Sequence, residues 1–176
     1  DTVVLDKTGT VTEGKPRVTA TTLDDAALRL AAAAERRSEH PLARAVVAFA
    51  EGRGITVPDT QDFRSVTGKG VWARVEDCDI LGGNEAFLRE QGVDANGTGV
   101  LVAINGKYAG SLQVSDPVRQ DSPVAIKELR RAGLDIVLLT GDVQANADAV
   151  ARDAGIQHVI AGVLPDGKVA EIRKLA

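Results

Sequence analysis

The sequence predicts an α/β protein in which a Rossmann-like parallel sheet is interrupted by an inserted α+β domain carrying an antiparallel sheet and a helical hairpin. Three observations carry this reading. Short β-branched and apolar runs at 2–5, 134–139 and 158–161 alternate with helical patterns at 118–132, at 144–154 and from Pro165 onward. Strands alternating with helices imply a parallel sheet with right-handed crossovers. Between these parts lie short strand patterns punctuated by turns, ending in two runs joined by Asn105-Gly106, the strongest short hairpin signal. Two helical patterns separated only by Ser38-Glu39-His40-Pro41 should fold back on each other. The expected division is 1–15 with 114–176 for the parallel-sheet domain and 16–113 for the insert, with connections near 13–17 and 113–117.

Taken in order, 2–5 is an apolar run suited to a strand buried on both faces, and Asp6 stands at its carboxyl end. Threonine alternates with apolar residues over 17–23, which reads as a strand. Asp24 or Asp25 caps a helix to about Arg37, with Leu28, Leu30 and a run of alanines on its core face. Pro41 suits the first turn of a second helix over 42–53, which Gly54 ends. Strands are expected at 63–67, 71–76 and 79–81, a short helix at 84–91, and a hairpin of 99–104 with 107–114. Pro117 then opens the helix that leads back into parallel βα units.

Composition narrows the function. A hydrophobic fraction of 44% fits a globular core, and mixed charge with a net of -4 leaves no basic field for nucleic acid. The one cysteine, Cys78, excludes an internal disulfide framework and a Cys/His metal cluster. No apolar run approaches the roughly 20 residues of a membrane helix, and the amino terminus has no signal-peptide pattern. Asp1 starts almost directly on a buried-type strand and Ala176 ends inside an amphipathic run, so an excised piece of a longer protein is expected.

The chemistry centres on Asp6. Open α/β sheets bind ligands beyond the carboxyl ends of their strands, and Lys7-Thr8-Gly9-Thr10 adds a cation, hydroxyls and a permissive glycine at that point. Thr140-Gly141-Asp142 follows the second parallel strand and should converge on the same crevice, while Lys168, early in the last helix, can supply a second cation. A carboxylate nucleophile, a hydroxyl and a lysine suit phosphoryl transfer, where catalysis is mostly positioning and charge stabilisation. The plain alternatives are a polar turn for 6–10 and a solvated surface lysine for Lys168.

The string Asp6-Lys7-Thr8-Gly9-Thr10, followed by Val11-Thr12-Glu13-Gly14-Lys15-Pro16, resembles the phosphorylation motif of the P-type ATPases. The insert narrows the resemblance to the heavy-metal branch through Glu35, Ser38-Glu39-His40-Pro41-Leu42-Ala43, Gly68-Lys69-Gly70-Val71 and Gly83-Asn84. Asp116-Pro117-Val118-Arg119 is similar to that family's return strand, so the likeness spans nearly the whole chain. Singly, each insert residue has a plain role: Glu35 on a solvated helix face, His40 at a helix entry, Gly68 and Gly70 in a tight turn, Gly83 in a loop before Asn84 caps a helix.

The resemblance implies a haloacid-dehalogenase-like phosphorylation domain and a nucleotide-binding insert, with ATP and Mg²⁺ as cofactors. Asp6 would be the nucleophile, Thr140 and Lys168 would stabilise the transferring phosphoryl group, and Asp142 would orient the site. Thr8 would help place phosphate and metal, with Asp6 and Thr8 as the metal residues. Glu35, His40, Gly68, Gly70, Gly83 and Asn84 would hold the nucleotide. Soluble phosphatases of the superfamily carry a second aspartate where this chain has Thr8. Its loss removes a proton shuttle worth about 10² to 10⁴ in rate, so an aspartyl phosphate should persist. The family's Mg²⁺-binding Gly-Asp-Gly-x-Asn-Asp segment has no match before Ala176, which implies nucleotide binding with little turnover by this stretch alone. The implied whole is a copper(I)-exporting membrane pump, this part lying in the cytoplasm and working with transmembrane and actuator domains of the same chain. A soluble phosphatase with a cap domain and a non-catalytic nucleotide-binding module are the alternatives.

Overall fold

The computed structural model describes residues 1–175, so Ala176, the end of the last amphipathic run, lies outside the described residues. The chain divides into two compact units, one formed by Asp1–Lys15 with the stretch from Asp116 onward, the other by Pro16–Ser115. β1 (Thr2–Asp6) opens the first unit, and a tight turn over Lys7–Val11 follows, with Gly9 at φ 76.

The second unit is a six-stranded antiparallel sheet with helices. Its elements are β2 (Arg17–Thr21), α1 (Asp25–Glu35), α2 (Pro41–Gly52), β3 (Asp62–Val66), β4 (Gly70–Val75), β5 (Cys78–Gly83), α3 (Glu85–Glu90), β6 (Val100–Ile104) and β7 (Lys107–Ser115). The strand order is β2-β7-β6-β5-β4-β3. The Asp24 carboxylate accepts the Ala27 N–H at 2.7 Å and starts α1, and α2 begins on Pro41, whose missing N–H costs nothing in a first turn. Leu28, Ala32 and Ala33 of α1 and Val46 and Ala50 of α2 are buried against Ala73, Val75, Ile80 and Leu112 of the sheet. A separate cluster of Leu81, Phe87, Leu88, Leu101 and Ala103 holds α3. The β6–β7 hairpin turns through Asn105 at φ 49 and Gly106 at φ 76, the left-handed pair that Asn-Gly tolerates.

The chain re-enters the first unit and forms α4 (Ser122–Arg131), β8 (Asp135–Leu139), α5 (Gln144–Ala154), β9 (His158–Ile160) and α6 (Pro165–Leu175). Its sheet is parallel throughout, ordered β1-β8-β9, with Asp6 opposite Leu139 and Leu139 opposite Ile160. Ile126, Ile136, Leu138, Ala151 and Ile156 form its core.

One boundary departs from the sequence reading. The helix expected to open at Pro117 starts at Ser122, because Val118 is held extended in an antiparallel bridge to Thr12 and Arg119 donates its N–H to the Val11 carbonyl at 3.0 Å. Smaller shifts occur at 79–81, where the strand runs from Cys78 to Gly83, at 17–23, where it stops at Thr21, and at Arg37, two residues beyond the end of α1.

Candidate functional site

In the first unit, parallel pairing brings the carboxyl ends of β1 and β8 side by side, so Asp6 and Thr140 emerge at the same edge. Asp6 is exposed, and its Oδ1 accepts a hydrogen bond from the Lys168 ammonium on α6. Lys7, only 12% exposed, pairs with Asp142 at 3.1 Å. Partial burial pushes the Asp142 carboxyl up, but Lys7, the Val143 N–H at 2.9 Å and the Asn146 amide at 3.2 Å outweigh it and hold Asp142 below the ordinary aspartate value. The buried Thr140 accepts the Asp142 N–H on its hydroxyl at 3.1 Å, and its own N–H and carbonyl bond Ile160 and Val163. The 140–142 turn is thereby tied to the β9 end. Thr8 is exposed in the turn after β1, two residues from Asp6.

The turn that presents Asp6 is fixed from below. Thr12 is fully buried, and its hydroxyl lies 3.0 Å from the Lys7 carbonyl and 2.6 Å from the Asp116 carboxylate, while the Gly9 N–H reaches it at 3.3 Å. Asp116 also accepts the N–H groups of Gly14 and Lys15 at 3.2 and 3.0 Å. Ser122, buried at the start of α4, donates to the Val11 carbonyl at 2.9 Å. The loop around the carboxylate is thus held by polar groups from a segment more than a hundred residues away, and buried polar groups so satisfied rigidify their surroundings.

The second unit gathers the other named residues in two places. Gly70 and Gly83 face each other across β4 and β5, and a Cβ on Gly70 would come 2.3 Å from the Gly82 carbonyl, while one on Gly83 would come 2.5 Å from the Lys69 carbonyl. Phe87 fills the space beside both. Asn84 accepts the Phe87 N–H at 2.8 Å as the cap of α3, and its amide donates to the Gly68 carbonyl at 3.1 Å. Gly68 needs glycine for a different reason, a backbone at φ 73. These four residues form one backbone mesh whose glycines are required by packing and turn geometry.

Glu35 ends α1 and is 9% exposed. Its carboxylate lies against β5, where a Cβ on Gly82 would sit 3.0 Å from Oε1, so Gly82 leaves the room it occupies. Burial alone raises its pKa to about 7. The loop leaving Glu35 carries His40, whose Nδ1 accepts the Leu42 N–H at 3.2 Å and caps α2. With Nδ1 accepting that bond, the proton of a neutral imidazole sits on Nε2.

Residues 1–176 match the family described as haloacid dehalogenase-like hydrolase. The chain belongs to that family. Among curated relatives it is 42% identical, over 99% of its length, to a copper-exporting P-type ATPase of Staphylococcus saprophyticus and 44% identical to a silver-exporting P-type ATPase of Salmonella typhimurium. It spans 24% and 23% of those two proteins. Among solved structures it is similar to the catalytic domain of the CPx-ATPase CopB-B, studied upon nucleotide binding, at TM-score 0.81 and 31% identity over 99% of this chain and 66% of that one. A zinc-transporting PIB-type ATPase in an E2.Pi state is similar at TM-score 0.74 and 36% identity, with 99% of this chain and 31% of that chain covered. Over 99% of its length this hydrolase-family chain is therefore similar to a segment of metal-transporting P-type ATPases.

Sequence reasoning did not single out Lys7 as the partner of Asp142, Thr12 and Asp116 as the pins of the Asp6 turn, or Gly82 as the neighbour of Glu35. The signal for Gly82 was present, since Gly82-Gly83 ends a strand of otherwise large residues. The signal for Thr12 was not, because its partner stands 104 positions away.

Proposed function

We propose that this chain is the ATP-binding and phosphorylation region of a P-type ATPase that exports a heavy-metal cation, copper(I). Pro16–Ser115 acts as the nucleotide domain and the parallel-sheet unit as the phosphorylation domain. The observation that carries the reading is the pairing of Asp6 with Lys168 at the carboxyl edge of the parallel sheet, beside Thr140 and the Lys7–Asp142 pair. In the parent, an Asp6 carboxylate oxygen attacks the γ-phosphorus of ATP, the bond to the bridging oxygen breaks, and ADP leaves. Lys168 offsets the charge on the transferring group, and Thr140 and Asp142 fix the loop that receives it. Thr8 places no carboxylate beside the phosphoaspartate, so the intermediate outlives that of a phosphatase.

Glu35, His40 and the mesh of Gly68, Gly70, Gly83 and Asn84 would hold the nucleotide, where the His40 imidazole would supply a stacking face or a hydrogen bond. Mg²⁺ fits Asp6 and Thr8 as a partial donor set, because this cation uses one or two carboxylates and fills its other positions with water and phosphate oxygens. Among the described residues no group of three or more His, Cys, Asp or Glu side chains is arranged to hold a metal alone. When bound, Mg²⁺ supplies charge neutralisation on the phosphates. No helix among the described residues is long and apolar enough to cross a membrane. The membrane and actuator domains belong to other parts of the parent, and this segment faces the cytoplasm.

The test is phosphorylation of the full-length parent. Asp6→Asn abolishes an acid-stable, hydroxylamine-sensitive phosphoenzyme and leaves ATP binding intact. Undiminished phosphoenzyme in that variant removes Asp6 from the mechanism.

A further inference from the structure

At the opposite end of α5 from Asp142, an open groove of about 580 Å³ runs between α4 and α5. Eleven helical residues at about 1.5 Å each separate the two ends, so the groove is about 15 Å from the Asp142 turn. Its walls carry Lys127, Arg130, Arg131 and Arg152 against one carboxylate, Asp153, and the buried Ile126 lies at its floor. Four cations less one carboxylate leave a local charge of three, on a chain whose net charge is -4. Arg130 donates to the Gly155 carbonyl at 3.4 Å. Lys127, Arg131 and Arg152 make no ion pair among the described residues.

Cations in the last turn of a helix offset the partial negative charge at its carboxyl end. That accounts singly for Arg130 and Arg131 in α4 and for Arg152 in α5. It does not account for Lys127 in the body of α4, or for the convergence of all four on one concave surface. Exposed like charges gathered on one surface repel weakly through water, and a bound anion turns that repulsion into attraction.

We propose that this groove is a binding site for an organic phosphate, its phosphate oxygens taken by Lys127, Arg131 and Arg152. Planar guanidinium groups match the oxygens of a phosphate in pairs. The volume falls within the roughly 300 to 1,000 Å³ of small-molecule sites, so the remainder of the ligand lies beyond the phosphate. Two sources offer this chemistry, a soluble phosphorylated metabolite and the headgroup of an anionic phospholipid.

The test is a titration of the ¹⁵N-labelled chain, read by backbone amide resonances, with pyrophosphate and separately with dihexanoyl phosphatidylglycerol against the phosphatidylcholine analogue. Resonances of 123–131 and 152–155 are expected to shift together and saturate with at least one of the two anions. A response to pyrophosphate assigns a soluble ligand, and a response to phosphatidylglycerol alone assigns a lipid. The double variant Lys127→Gln with Arg131→Gln should bind about tenfold more weakly, about 1.4 kcal/mol, through the loss of partly solvated charged contacts. Arg152→Gln alone should also weaken it, and both variants should keep the wild-type amide spectrum outside the groove, because these side chains are exposed and Arg131 and Arg152 support only the helix ends. Shifts confined to 6–10 and 140–142, no shifts at all, or equal affinity in the variants would overturn the proposal.

Discussion

Glu35→Gln should change how the stability of the antiparallel unit depends on pH. Burial lifts the Glu35 carboxyl from an ordinary value of 4.5 to about 7. The folded unit therefore holds this proton more tightly than the unfolded chain, and its stability falls with rising pH wherever the unfolded chain has already released it. The contribution is fully present below pH 4.5 and is lost as pH rises through about 7. At about 1.4 kcal/mol for each tenfold in proton affinity, the difference between 4.5 and about 7 corresponds to a loss on the order of 3 kcal/mol. Glutamine keeps the shape and has no proton to lose, so the variant lacks this slope. The assay is urea unfolding followed by Trp72 fluorescence at several pH values from 4.5 to 8. Trp72 is the one tryptophan and lies in β4, so the signal reports this unit. The wild-type chain should lose about 3 kcal/mol relative to the variant across that range. Parallel curves for the two proteins would refute the assignment of a buried, proton-retaining carboxyl at this position.

Other substitutions separate packing from chemistry. Gly70→Ala should cost at least about 2 kcal/mol by overpacking, because its Cβ would press on the backbone of β5 at 2.3 and 2.8 Å. Gly68→Ala, with open space around it, should cost only the roughly 1 kcal/mol of a left-handed backbone; the same fluorescence assay compares them. Lys7→Met should raise the Asp142 pKa, since Lys7 opposes desolvation there. Wild-type stability from this lowered carboxyl is lost as pH falls through its folded pKa, and carboxyl ¹³C titration should show that window shrink in the variant. His40→Asn keeps a side chain able to cap α2 but removes the imidazole. Calorimetry should then show ATP binding weakened five- to tenfold, about 1 kcal/mol, at an unchanged melting temperature, while a fall in melting temperature with unchanged affinity would make His40 a capping residue only.

Sequence by itself determined what local chemistry determines. The cap at Asp24, Pro41 in a first turn, the cap at Asn84 and the Asn105-Gly106 turn each act within a few residues, so they could be read without a fold. The position of Asp6 at a strand end followed from a four-residue apolar run for the same reason. Tertiary structure decided the rest. Val118 reads as helix but is extended, because a bridge to Thr12 and the Asp116 carboxylate close the loop on which Asp6 stands. The burial of Glu35 has no local signal, because it arises where α1 packs on β5 at a point where Gly82 has no side chain. Lys127 and Arg152 stand 25 positions apart in sequence, and only the packing of α4 and α5 brings them to one groove. Each outcome depends on groups far apart in sequence, whose packing and desolvation exist only once the chain has folded.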